Sequence, residues 1–267
     1  MINLLKIELN KIVTNKTFWV LTGLYVLLLG LVFFGVQSVI NEISTNASKT
    51  TPIPIPKVSI YNFPDIWQNL IYLAGFFKIF LAVVVIIFIT NEFSFKTIRQ
   101  NITNGMSRFD FLLSKLQFLF LLSFGATLFI IITGLILGFI NSSNISVTII
   151  FSKFIYIFAY FLEVFSFLVF ALFIGFLVKK SGLAIGLLLL YNYIIEPIIV
   201  YKLPDGIDEY MPLRAISNLI DIPNTALMQL VGVNFRDYIA FTDVAVCIGY
   251  TALFTFLTYL MLKKRDL

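Results

Sequence analysis

The chain has 267 residues, 60% hydrophobic and only 12% charged, with 30 Phe, a net charge of +5 and a mean hydropathy of +0.98. Soluble domains are roughly half apolar and a quarter charged, so this composition excludes an ordinary water-soluble protein and points to a polytopic membrane protein. There is no His and a single Cys, Cys247, which excludes imidazole chemistry, a disulfide framework and the usual zinc, haem and iron–sulfur ligand sets.

Taken in order, residues 1–17 place Ile2, Leu5, Leu9, Ile12 and Val13 on one helical face, with Lys6, Lys11 and Lys16 largely on the others. This predicts an interfacial helix on the inner leaflet. It is not a cleaved signal peptide, because the apolar run behind it, Phe18 to Val36, is longer than an h-region and has no small-x-small cleavage site. That run is the first predicted span, close to the ~20 residues a helix needs to cross a hydrocarbon core. Gln37 to Asn69 reads as an external interval whose TPIPIPK stretch favours extended chain, with Trp67 at headgroup depth.

Leu70 to Thr90 is the second span and returns the chain to the cytoplasm. Residues 91–117 form the longest polar, basic interval between two apolar runs, with Lys96, Arg99, Arg108 and Lys115 against Glu92 and Asp110. The excess of Lys and Arg puts this interval inside. Phe95, Ile98 and Ile102 recur at helical spacing, Asn104-Gly105 is a hinge, and Ser107 is placed to cap a helix running from Arg108 into the next span.

The interval resembles that of type-2 ABC exporter permeases, which leave the second span with a Glu, then a Thr-x-Arg, a Ser-Arg and a Lys. Glu92, Thr97-Ile98-Arg99, Ser107-Arg108 and Lys115 stand in that order, while the family's usual Gly before the Thr is Lys96 and its usual Pro before the Ser-Arg is Met106. The resemblance implies a coupling helix that docks on a separate ATPase subunit. Glu92, Lys96, Thr97, Arg99, Arg108 and Lys115 are then the docking candidates. A basic, solvated cytoplasmic loop is the plain alternative.

Phe118 to Ile140 is the third span, NSSNIS an outer turn, and Phe154 to Val178 the fourth span, closed by Lys179-Lys180. The fifth, Leu183 to about Val200, contains Glu196-Pro197, where the proline should kink or break the helix. Residues 201–240 hold breaks at Pro204, Asp205-Gly206, Pro212 and Pro223 beside the apolar groups LRAISNLI and ALMQLVGV, too short to span and too apolar for a free loop. They predict short external re-entrant helices. The resemblance also implies two such helices there, with Tyr210-Met211-Pro212 at their opening. Phe241 to Leu262 is the last span.

Twelve of the 19 basic residues fall on predicted cytoplasmic intervals, so six spans with both termini inside fits best. The expected fold is all-α and integral to the membrane, a single permease domain over residues 1–267. Nucleic acid is discarded as a partner, because the basic residues lie at span ends rather than along one stripe.

No P-loop, H-E-x-x-H or G-x-S-x-G occurs, so the chain itself should be no enzyme and bind no cofactor. ATP and Mg would sit on the partner ATPase. Lys78, Glu163 and Glu196 are charged residues within spans, at broadly similar depth in the outer half. Intramembrane charges normally pair, so Lys78 should meet Glu163 first and Glu196 second, as a pathway lining or as a structural tie.

The reading is a permease subunit of a type-2 ABC transporter in a bacterial inner membrane, paired with a second copy or a related permease. The alternatives are an anchoring or assembly subunit of a secretion or motility machine, and an ion-gradient-driven secondary transporter. The last lacks the internal repeats common in that class.

Overall fold

In the computed structural model, which describes residues 11–50, 60–142, 145–204, 206–223 and 236–264, every regular element among the described residues is helical. Most of the predicted interfacial helix, the Pro-alternating stretch and the apolar group at 226–233 lie outside the described residues. The chain opens with α1 (Lys16–Thr50), followed by α2 (Ile66–Gly75) and α3 (Lys78–Ser94). A short α4 (Thr97–Thr103) precedes α5 (Arg108–Asn141), and α6 (Val147–Phe151) leads into α7 (Ile155–Val178). Then come α8 (Ser181–Leu190), a π-helical turn (Tyr191–Ile195), α9 (Glu196–Lys202), α10 (Pro212–Ser217) and α11 (Phe241–Lys263).

Among the described residues, five helical stretches are long and apolar enough to cross a membrane, and there are six if α2 and α3, which meet at 45°, form one broken span. The hub is α7: 67% of its most apolar window is buried within protein, against 17% for α1 and for α11. The outer helices instead expose large apolar side chains such as Leu27, Leu31, Phe120, Phe124, Ile248 and Phe256. Helices that are apolar on every side are stable only where lipid or protein covers them all round.

Close packing around α7 depends on small residues. At Gly175 a Cβ would overlap the side chain of Ile89 on α3, and at Gly134 on α5 it would lie 2.7 Å from Trp67 Cζ3 on α2. Lipid tails are as apolar as leucine, so helices in a bilayer gain from such intimate contact more than from burial itself. Several helical hydroxyls are satisfied by their own helix, as where Thr90 donates to the Ile86 carbonyl at 2.7 Å and Thr127 to that of Ser123 at 2.8 Å.

Several expected boundaries move. The first helix runs on to Thr50 rather than ending at Val36, so Gln37 onward begins as helix and not as an irregular loop. The second span starts at Ile66 and breaks between Gly75 and Lys78, whereas an uninterrupted helix from Leu70 was expected. Trp67 is not at a lipid-facing interface: it is fully buried, donates to the Ile150 carbonyl at 2.6 Å and packs edge-on against Phe154. Its indole N–H finds a protein acceptor, and the headgroup region is then not needed. Around Pro197 the helix is not severed, because the chain widens into the π turn one turn upstream, where the ring would crowd the carbonyl four residues back.

Candidate functional site

Two places concentrate polar chemistry. The first is the end of the bundle where α3 leaves for α4. Ser107 caps α5, accepting from the Asp110 amide at 3.0 Å and donating to the Asp110 carboxylate at 2.6 Å. Gly105 has φ +94, so α4 and α5 are separated by a left-handed turn at the expected hinge. Lys96, between α3 and α4, also sits in the left-handed region at φ 54. This is a conformation in which a side chain is strained and glycine is not.

Of the six docking candidates, the structure places two outward and draws the others inward. Lys96 and Arg99 are exposed. Thr97 donates across the turn to the Glu92 carbonyl at 3.3 Å. Glu92 and Lys115 are buried, 7% and 4% exposed, and bonded to each other, and Lys11 reaches the same carboxylate oxygen at 3.5 Å. Their side chains therefore do not lie on the surface as expected. A carboxylate and an ammonium on adjacent helices satisfy each other once water is excluded, and the pair fixes the root of α4. Arg108 is half-buried and donates to the Lys263 carbonyl at the end of α11. Phe95, expected on the apolar face with Ile98 and Ile102, is exposed, while Ile98 is buried.

The second place is within the span layer. Lys78, the first residue of α3, donates to Glu163 on α7 at 2.5 Å, which is the expected pairing, and it lies 3.5 Å from Ser217 Oγ on α10. Lys78 Nζ also stands 5.1 Å from the centre of the Phe167 ring. The helix break is what admits this pair. An ammonium at a helix N-terminus is disfavoured by the dipole, and the Glu163 carboxylate beside it reverses the sign of that interaction. Glu196 is not Lys78's partner. It accepts from the Arg214 amide at 2.6 Å and so fastens the start of α10 to α9.

Tyr160 and Ser166 were not among the expected site residues. They lie three positions either side of Glu163 on α7, where Tyr160 bonds Tyr25 on α1 at 2.9 Å and Ser166 bonds Thr251 on α11 at 2.7 Å. The spacing Tyr160, Glu163, Ser166 in an otherwise apolar helix is a readable polar seam. It ties α7 to three neighbours in turn.

A cavity of about 270 Å³ lies against the Lys78–Glu163 pair, lined also by Tyr72, Gly75, Asn192 and Ser217. It is bounded by the α2–α3 break, α7, the π turn and the region of α10. Among the described residues no group of three or more Cys, Asp or Glu is arranged to hold a metal ion.

Among the described residues every regular element is helical and five or six helices are long and apolar enough to cross a membrane, which makes this a multi-pass membrane protein. Residues 51–267 match the family described as "Protein of unknown function (DUF2705)", and the chain belongs to that family. No curated protein sequence matches it.

Proposed function

We propose that this protein is the transmembrane permease subunit of a type-2 ABC transporter, lying in a bacterial inner membrane with both termini in the cytoplasm. It acts with a separate ATPase and with a second copy or a related permease. The observation that carries this reading is the α4 ledge. A seven-residue helix between the second and third spans is held by left-handed turns at Lys96 and Gly105, rooted by the Glu92–Lys115 pair, and presents Lys96 and Arg99 outward. A basic, rigidly rooted helix is suited to transmit displacement from a docked subunit into α3 and α5, which it joins. A basic edge also suits an acidic groove.

The charge distribution supports the orientation. Lys11, Arg108, Lys115 and Lys263 gather at the α4 end, as does Lys179, since Phe93 beside Glu92 packs against Phe176 at the end of α7. At the opposite end, Lys153 is matched by Asp65 and Asp237, Arg214 by Asp208 and Arg236 by Asp243. An excess of basic over acidic residues marks the cytoplasmic side. The energy source is placed on the partner, because the chain has no P-loop.

The test is whether a P-loop ATPase co-purifies with this chain from its native membranes. Charge reversal at the two outward residues, Lys96→Glu with Arg99→Glu, should reduce recovery of the ATPase at least tenfold while the chain itself is recovered normally. Unchanged recovery and unchanged ATPase stimulation would refute the docking role. Recovery instead of secretion or motility components would favour the anchoring-subunit alternative.

A further inference from the structure

We infer that the cavity beside the Lys78–Glu163 pair binds the uncharged amide head of an otherwise apolar molecule that reaches it from the bilayer. The inference rests on the cavity alone and stands whether or not an ATPase docks at α4. Glu163 is 3% exposed, and its Oε1 takes the Lys78 hydrogen bond, while its Oε2 is buried with no hydrogen-bond partner. A buried carboxylate oxygen without a donor carries a desolvation cost that a ligand donor would remove. Lys78 has three N–H donors, of which one goes to Glu163 and one is directed at the distant Ser217 hydroxyl. The wall therefore offers an acceptor and a donor side by side, and Asn192 supplies a further amide of both kinds.

Charge decides between head groups. The pair is already neutral, so an ammonium or a carboxylate would add a third buried charge without a counter-ion, whose desolvation nothing in the site repays. An amide adds no charge and carries its donor and acceptor on separate atoms, so it can meet both partners. Access to Glu163 is through Gly75: a carbon at its missing Cβ would lie 3.5 Å from Oε1 and 3.8 Å from Oε2. That notch is where a ligand atom approaches the carboxylate. Phe76 and Tyr193 on the cavity wall are 60% and 57% exposed, an aromatic rim at the outside of the chain by which an apolar molecule would enter. The volume, at the small end for organic ligands, fits a head group whose chain stays in the membrane.

The experiment uses the full chain in lipid nanodiscs with tritiated decanamide, with empty nanodiscs as the partition baseline. Decylammonium, decanoate and decanol serve as competitors of equal chain length. The inference expects saturable decanamide binding above baseline, with each competitor at least tenfold weaker. Gly75→Ala, whose methyl makes only ordinary contacts, should weaken binding at least tenfold at unchanged melting temperature. The double change Lys78→Met with Glu163→Leu, which removes donor and acceptor together without stranding a charge, should abolish it in folded protein. Binding no greater than in empty nanodiscs, equal competition by decylammonium or decanol, or binding that survives the double change or Gly75→Ala would each overturn the inference.

Discussion

Lys96 carries a lysine side chain on left-handed backbone, at φ 54. Leaving that region is worth roughly 1–2 kcal/mol for a residue with a Cβ, and glycine has no such penalty. Lys96→Gly should therefore raise the melting temperature of the purified chain, and a fall would show that the lysine side chain makes a stabilising contact that outweighs the strain. The result bears on the resemblance, because the position is the one at which type-2 permeases have their usual glycine. Lys78 poses the opposite problem. It is held in the span layer by one carboxylate, so Lys78→Met should destabilise by about 3–5 kcal/mol by stranding Glu163, and adding Glu163→Leu should recover most of it. The readout is the yield of monodisperse protein after extraction. If Lys78→Met alone is harmless, the pair is not a buried tie.

Among the elements, α7 combines a seam of polar ties with a seam of close contacts. Tyr160, Glu163 and Ser166 bond α1, α3 and α11, while Gly175 lets α3 approach nearer its C-terminal end. Gly175→Leu should cost at least the 1–3 kcal/mol of ordinary overpacking, since the new side chain would meet Ile89 with no free space to move into. Loss of monodispersity in size-exclusion chromatography checks it, and Gly23→Leu, at a position open on all sides, is the control expected to be silent. The break between α2 and α3 has no proline to explain it. It coincides with Gly75 and with the ion pair at Lys78, so the kink is set by what α7 presents to it.

At the scale of the whole molecule, orientation follows from which end carries the excess of basic residues. If the α4 end is cytoplasmic, a cysteine at exposed Glu209 in a Cys247→Ser background should react with an impermeant maleimide on intact cells. A cysteine at Leu219, which is 1% exposed, should stay protected on the same face. Labelling at Glu209 only after permeabilisation would invert the topology. Asp208 is less suitable as a reporter, being ion-paired to Arg214 at 2.9 Å.

The all-helical class and the presence of several helices long and apolar enough to cross a membrane were legible because they depend on runs of about twenty apolar residues, a local property independent of how the helices pack. The Ser107 cap, the Asn104-Gly105 hinge and the pairing of Lys78 with Glu163 were legible for similar reasons. Caps and turns are local chemistry, and a charge in a span has few possible partners. Tertiary structure alone decided that Glu92 and Lys115 face each other instead of the solvent, that Trp67 is core instead of interface, and that Glu196 holds a backbone amide instead of Lys78. In a chain this apolar, hydrophobic periodicity is nearly absent, so outside the polar seam of α7 little in the sequence tells a lipid-facing side of a helix from a protein-facing one. Only packing against α7 distinguishes them, and with them the cavity that forms where the broken second span, the π turn and that helix meet.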